Sequence, residues 1–321
     1  MRMNKKIFPL MAAAAMMLLT ACYHDKHEFQ PNEHDGTAVG YVSPQLSWEN
    51  ETDTLNTLDH IQITVAGSNG TSANQSFGSV QSTAEWLQQL PVGEYDLLVT
   101  ADMDEARGYV LNNVTHSATR AEGDGSINTL PDTRVSLRNP SSSPEQAWYG
   151  VTSATVKADE VTIAEVSLRR LLASVTVVIH GVPASTTVSI AVERVAHSVL
   201  LTTRDGNGRY GVPDGEDYET VSLGTLAADP ADAATLRRDD HTLMPTAGGQ
   251  QRCLLTISVT TPEGTPLTYL ADVPRMECGK HYLVELDYAD LRPYMRFEAM
   301  TINDWTEGWT ISGEILNPTN K

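Results

Sequence analysis

The sequence predicts an all-β protein, built as two tandem antiparallel β-sandwiches behind an N-terminal export segment, and three features support this. From Tyr41 onward, short runs rich in Val, Ile, Leu, Thr and Tyr are separated by Gly, Pro, Asn and Asp clusters, the pattern of many short strands. Stretches with a sustained 3.6-residue apolar period are scarce, so crossover helices are not expected. About 300 of the 321 residues remain once an export segment is removed, which exceeds one ordinary domain and suggests two of about 150 each.

Residues 1–21 follow the grammar of a secretory signal. Arg2, Lys5 and Lys6 form a positive start, and Ile7 to Leu19 is uncharged and mostly apolar, shorter than the ~20 residues a transmembrane helix needs. Leu19-Thr20-Ala21-Cys22 then presents a branched apolar residue, two small residues and a cysteine, a bacterial lipobox. Cleavage after Ala21 with acylation of Cys22 is the expected processing; an ordinary signal cut near Ala21 is the alternative. Several acyl chains, at about 0.8 kcal/mol per buried methylene, make a stable anchor, so the first expected partner is a membrane, held through Cys22. Tyr23 stands where an aspartate would favour inner-membrane retention, which points to the outer membrane. Residues 22–40 are polar and aperiodic, a tether. His24, His27 and His34 lie within it but lack the fixed geometry of a tight metal site, and no metal or cofactor is expected.

Residues 41–170 are expected to form the N-terminal sandwich and 171–321 the C-terminal one. The boundary falls near Leu168 to Leu171, where one long β run stops and the apolar strand Ala173 to Ile179 begins. Expected strands include Ile61–Ala66, Tyr95–Ala101, Thr133–Leu137, Val151–Lys157, Val161–Leu168, Ala173–His180, Thr187–Val192, Cys253–Val259, Tyr282–Asp287 and Thr310–Ile315. In the strand after the Pro91-Val92-Gly93 turn, Tyr95, Leu97 and Val99 alternate onto one strongly buried face. Asp205-Gly206-Asn207-Gly208 is a hairpin signal, because glycine and asparagine tolerate positive φ. Thr115–Asp132 and Asn139–Glu145 read as exposed loops. The best helical candidates are Thr83–Leu90 and Ala227–Arg237. Cys253 should lie opposite Val273 or Pro274 in a hairpin with Cys278 several residues beyond, which leaves open a disulfide or two buried thiols.

Composition and motifs exclude several functions. Loss of Arg2, Lys5 and Lys6 takes the formal charge from −19 to −22, a surface that repels nucleic acid. The chain has no glycine-rich phosphate loop, no Gly-x-Ser-x-Gly elbow and no His-Glu-x-x-His, so catalysis is not expected. A calcium-like pattern of Asp205, Asn207 and Glu216 fails at Arg209 and at Tyr210, where the sharp turn needs glycine. Asp53-Thr54-Leu55 resembles a short acceptor pattern for periplasmic O-glycosylation at Thr54, and an ordinary loop threonine is the alternative reading.

A set of ordered landmarks resembles Bacteroidales fimbrillin-like surface lipoproteins. They are the lipobox, Val166-Ser167-Leu168-Arg169-Arg170, His241-Thr242-Leu243-Met244-Pro245-Thr246-Ala247-Gly248-Gly249, Gly279-Lys280-His281-Tyr282-Leu283-Val284-Glu285-Leu286 and Ile302-Asn303-Asp304-Trp305. The resemblance implies transthyretin-like sandwiches and a place in type V pili, where fimbrillin-like subunits join by strand addition. It also implies that stalk subunits lose a first strand to an arginine-specific protease, whereas anchor subunits keep their lipid. Here no Lys or Arg occurs between Lys26 and Arg107, so an anchor or accessory subunit is expected. A solitary surface lipoprotein binding glycan or another envelope protein is the alternative. Trp305 and Trp309 are expected to cap a sandwich edge.

Overall fold

The computed structural model describes residues 38–49, 58–114, 130–264, 266–296 and 302–304. The export segment, Cys22, the three tether histidines, Thr54, the loop core 115–129, Trp305, Trp309 and the expected strand Thr310–Ile315 lie outside the described residues.

Before residue 171 the strands are β1 (Val39–Trp48), β2 (Ile61–Gly67), β3 (Ser72–Phe77), β4 (Gln88–Pro91), β5 (Gly93–Ala101), β6 (Tyr109–Val114), β7 (Asp132–Leu137), β8 (Trp148–Val156) and β9 (Val161–Arg170). After it come β10 (Ala173–His180), β11 (Thr187–Ala196), β12 (Ser198–Arg204), β13 (Tyr210–Pro213), β14 (Tyr218–Thr225), β15 (Ala227–Asp229) and β16 (Asp232–Leu243). The last are β17 (Arg252–Thr260), β18 (Pro266–Pro274), β19 (Lys280–Asp287), β20 (Tyr294–Arg296) and β21 (Ile302–Asp304). The fold is all-β, as expected.

A seven-stranded sheet, ordered β3-β2-β5-β8-β9-β1-β4, comes entirely from the first half. β1 runs parallel to β9, from Tyr41 opposite Val161 to Trp48 opposite Leu168, and antiparallel to β4 on its other side. One face of this sheet gathers Val42, Ile61, Ile63, Val65, Tyr95, Leu97, Val99, Val156 and Val166 into a first core.

The second half supplies two five-stranded sheets, β15-β16-β10-β19-β21 and β14-β11-β17-β18-β20. Alternating residues such as Val175, Val177 and Ile179 of β10 share a second core with Val188, Ile190 and Val192 of β11 and with Leu255, Ile257 and Val259 of β17. Period-2 alternation thus buries one face of each sheet.

A fourth sheet, β13-β12-β7-β6, takes two strands from each side of residue 170. Val199 of β12 pairs with Val135 of β7. The second core accordingly includes Leu98, Met103, Tyr109, Val135 and Leu137 from the first half. β9 ends at Arg170 and β10 begins at Ala173, and the strands on either side share a sheet and a core.

Three local expectations meet a different outcome. β5 is buried on both faces, because Leu98 joins the second core while Tyr95, Leu97 and Val99 fill the first. Asp96 tolerates burial there by accepting a 2.6 Å hydrogen bond from the Ser153 hydroxyl. Ala227–Arg237 is the β15–β16 hairpin, with Ala227 opposite Arg237, rather than a helix. Its two turn aspartates, Asp229 and Asp232, accept backbone N–H groups two residues on, at 2.8 and 3.0 Å, the local competition that favours a turn over a helix. In place of Thr83–Leu90, one helical turn spans Val80–Ala84, capped by Ser79, and Gln88–Pro91 pairs with the start of β1.

Other expectations match. Asp205 closes the hairpin between β12 and β13, its carboxylate accepting from the N–H groups of Asn207 (2.9 Å) and Arg209 (2.8 Å). Cys253 lies opposite Val273.

Candidate functional site

A mostly polar cleft of about 190 Å³ opens where the ends of β1, β8 and β9 meet the turn ahead of β19. Strand register explains its assembly from distant residues. Parallel pairing brings Trp48 beside Leu168, and antiparallel pairing sets Trp148 opposite Arg170. The two indoles pack at 5.6 Å, tilted by 46°, and the Arg170 guanidinium sits 5.5 Å from the Trp148 ring centre. Both indole N–H groups are buried without a hydrogen-bond partner.

Arg169, one residue earlier, faces the other way, as strand alternation requires. Its guanidinium lies 5.8 Å from the Tyr149 ring, donates to the Tyr210 carbonyl at 3.2 Å and is 3.4 Å from the Glu49 carboxylate. Arg209 comes from the β12–β13 turn. The remaining wall is Glu277, Cys278, Gly279 and Lys280. Gly279 turns this wall with φ +71, its N–H donating to the Leu172 carbonyl at 2.9 Å. The lining thus brings Arg169, Arg170, Arg209 and Lys280 together with Glu49 and Glu277.

Among the described residues, Cys253 and Cys278 are free cysteines. Cys253 donates to the Pro274 carbonyl at 3.6 Å, and Cys278 hydrogen-bonds the Tyr149 phenol beside the cleft. Burial pushes each thiol up to about 11, so both are protonated at neutral pH and poor nucleophiles.

Two histidine networks contain the residue types of hydrolase sites but not their wiring. The Ser174 hydroxyl and the Asp240 carboxylate approach the same nitrogen of His281, Nδ1, at 3.0 and 3.5 Å, whereas a relay needs one nitrogen for each. His180 contacts Thr235 at 3.0 Å and Glu285 at 2.8 Å, but the Thr235 hydroxyl donates to Asp232 at 2.7 Å and is buried. These networks tie neighbouring strands together. Among the described residues no group of three His, Cys, Asp or Glu could hold a metal, and no helix is long and apolar enough to cross a membrane.

A carboxylate cluster surrounds Arg107, which lies 2.6 Å from Asp59 and 3.4 Å from Asp102 and also pairs with Asp104. Burial, with the hydrogen bond shared with Asp59, pushes Asp102 up to about 7. Asp59 and Asp104 are held below the usual carboxylate range, Asp59 by its hydrogen bond with Asp102 and Asp104 by Arg107.

Sequence reading picks out Arg169-Arg170 but misses the tryptophan pair. Trp48 and Trp148 are 100 residues apart, and only the β1–β9–β8 pairing joins them.

Comparison with known proteins gives one family. The model for the fimbrillin-A associated anchor proteins Mfa1 and Mfa2 matches residues 56–310. Among solved structures, the fimbrial anchor protein Mfa2 from Porphyromonas gingivalis is 16% identical, with a TM-score of 0.50 over 83% of this chain and 96% of that one. A candidate polysaccharide-binding DUF1812 protein from Bacteroides thetaiotaomicron is 14% identical, with a TM-score of 0.50 over 88% of this chain and 100% of that one. At these identities the structural likeness establishes the fold. Among curated protein sequences nothing matches.

Proposed function

Because the chain belongs to the family of fimbrillin-A associated anchor proteins, we propose that it is an outer-membrane surface lipoprotein serving as the anchor or accessory subunit of a fimbrillin-type pilus, a non-enzymatic component of the adhesive apparatus. The family match, spanning residues 56–310 and so both halves, carries the reading. The lipobox supports attachment through acylated Cys22. The position of β1 supports retention of the N-terminus: it is an interior strand between β9 and β4, and its loss would expose two strand edges. No basic residue before Arg107 offers a cut that would remove it alone.

Pilus subunits are proposed to add a strand to an edge of the second half. β20 pairs with β18 through Leu270–Asp272, and among the described strands none covers Leu267 to Tyr269 on that side, where Leu267 is exposed. Residues 41–170 and 171–321 are proposed to act as two lobes around one joint core, and Thr54 is proposed as an O-glycan acceptor.

Cys22→Ala tests the attachment. The variant should leave the membrane fraction or accumulate as precursor and lose incorporated fatty-acid label. Unchanged fractionation with the same label in wild type and variant, or a mature N-terminus well past Cys22, would overturn the anchor reading.

A further inference from the structure

We propose that the outer face of the seven-stranded sheet, where it is bare over β9, β1 and β4, lies against the lipid surface that holds Cys22. Among the described residues, four of the seven exposed large apolar side chains, Leu87, Val92, Val161 and Ile163, gather around these three strands. Alternation along β9 buries Ala164, Val166 and Leu168 in the first core and turns Val161 and Ile163 outward, 46% and 53% exposed. Register sets Tyr41 of β1 beside Val161, with Gln89 of β4 on its other side, so this uncharged stretch is three strands wide. Over β5 and β8 the same outer face is covered, because Leu98 and Tyr149 belong to the second core and Val151 packs against it. That cover does not reach Val161 and Ile163.

The position of the anchor selects the occupant, and the proposal rests on attachment through Cys22. Sixteen residue steps separate Cys22 from Ala38, a reach of about 55 Å at full extension. Ala38 lies at the rim of the bare face, its carbonyl accepting from the Val92 N–H at 2.9 Å. An acylated Cys22 therefore keeps lipid within reach of these residues, and such confinement makes even a weak contact effective. Residues 23–37 carry only Tyr23 and Phe29 as large apolar side chains, too few to cover three strands themselves. Asp159 and Glu160 in the β8–β9 turn and Glu165 further along β9 oppose anionic head groups, so apolar contact supplies the attraction. The contact would fix the orientation of the protein on the membrane, which acyl chains alone leave free.

The test places the full mature chain, acylated at Cys22, on phosphatidylcholine vesicles with one polarity-sensitive dye at Ile163→Cys. Both native thiols are buried poor nucleophiles, so the introduced cysteine takes the dye. A dye at Tyr218→Cys, exposed on β14 at the edge of another sheet, is the control. Emission at 163 should shift to the blue and be quenched by brominated lipid, with no change at 218. Flotation with the vesicles reports the anchor separately: protein that floats while position 163 stays as wet as 218 overturns the docking and leaves the anchor standing. In a second arm the Cys22→Ser chain, which has no acyl groups, meets vesicles at millimolar lipid. It should still show the shift at 163, and adding Val161→Asp should weaken that binding at least tenfold at an unchanged melting temperature. No shift in this arm, an undiminished one with Val161→Asp, or a shift already present without lipid, the sign of a second copy or of the tether on this face, would each overturn the proposal even if the anchor reading failed.

Discussion

Gly211→Ala should be among the most damaging small substitutions in the molecule, and the reason is a single phenolic oxygen. Gly211 lies in β13 with φ +88, and a Cβ built there would stand 1.8 Å from the Tyr149 hydroxyl oxygen and 2.5 Å from the adjoining ring carbon. Tyr149 cannot easily yield, being fully buried, bonded to the Tyr210 carbonyl at 3.1 Å and backed by Arg169. A positive φ costs an alanine about 1–2 kcal/mol, and forcing an extra methyl into a packed site adds about 1–3 kcal/mol. The expected loss is therefore about 2–5 kcal/mol. Gly208→Ala is the matched control: its φ is +79 but no atom lies within 4 Å of its would-be Cβ, so only the conformational part, about 1–2 kcal/mol, applies. Urea unfolding of both variants, with equal slopes required, gives the difference due to the clash alone. In the Tyr149→Phe background the oxygen is gone, so the cost of Gly211→Ala should shrink and the two changes should not add. Equal losses for the two glycine variants, or full additivity with Tyr149→Phe, would refute the close-contact argument.

The Arg107 cluster gives a pH prediction. An acid whose folded value is raised contributes stability that is present below its unfolded value and lost as pH rises through the folded one, here from about 4 to about 7 for Asp102. Asp59 and Asp104 are displaced downward, so their contributions fade only below about pH 4 and do not act in that window. The Asp102 contribution should therefore fall between pH 4 and 7, by at most about 4 kcal/mol at ~1.4 kcal/mol per pH unit, while buried His241, pushed down to about 4, adds a slope of opposite sign, so the Asp102 part is the difference between wild type and Asp102→Asn, with stability falling more steeply or rising less in wild type. Urea midpoints of both proteins across the window check it, and identical slopes in wild type and Asp102→Asn would contradict it. Fragments 38–170 and 171–321, expressed separately, should lack cooperative unfolding because β7 and β12 pair across the cut and share a core; sharp transitions in both fragments would show that the shared sheet is dispensable. Asp205→Ala should cost about 1 kcal/mol by freeing two backbone N–H groups of the β12–β13 turn, read from the thermal midpoint, with no change expected if the turn is held by its glycines alone.

Local chemistry was readable wherever one strand or one turn decided the outcome. The Asp205 hairpin and the Cys253–Val273 register both follow from period-2 alternation and turn residues close in sequence. Ala227–Arg237 misled because alanine favours helix, while two aspartates capping their own turn and pairing with Ala173–His180 outweigh that weak preference. The second buried face of β5 was hidden because Asp96 and Thr100 look solvent-facing, and only the shared sheet over that side removes them from water. The cleft was hidden for a topological reason. Parallel pairing of β1 with β9 carries Trp48 across more than a hundred residues, and no local pattern encodes such a pairing.

That same parallel pairing gives the protein a mechanical character. β1 begins at the N-terminal end of the described fold, while β9 leads at its C-terminal end into β10 and the second half. A pull from the N-terminus that is resisted by the second half would enter the pair at Val39 and leave it at Arg170, at opposite ends of two strands running side by side. The eight residue pairs from Tyr41–Val161 to Trp48–Leu168 would then share the load in shear, instead of parting one after another as in a peeled hairpin. Geometry of this kind resists extension far better than it resists unzipping, a property that would suit the tethered role proposed for this subunit.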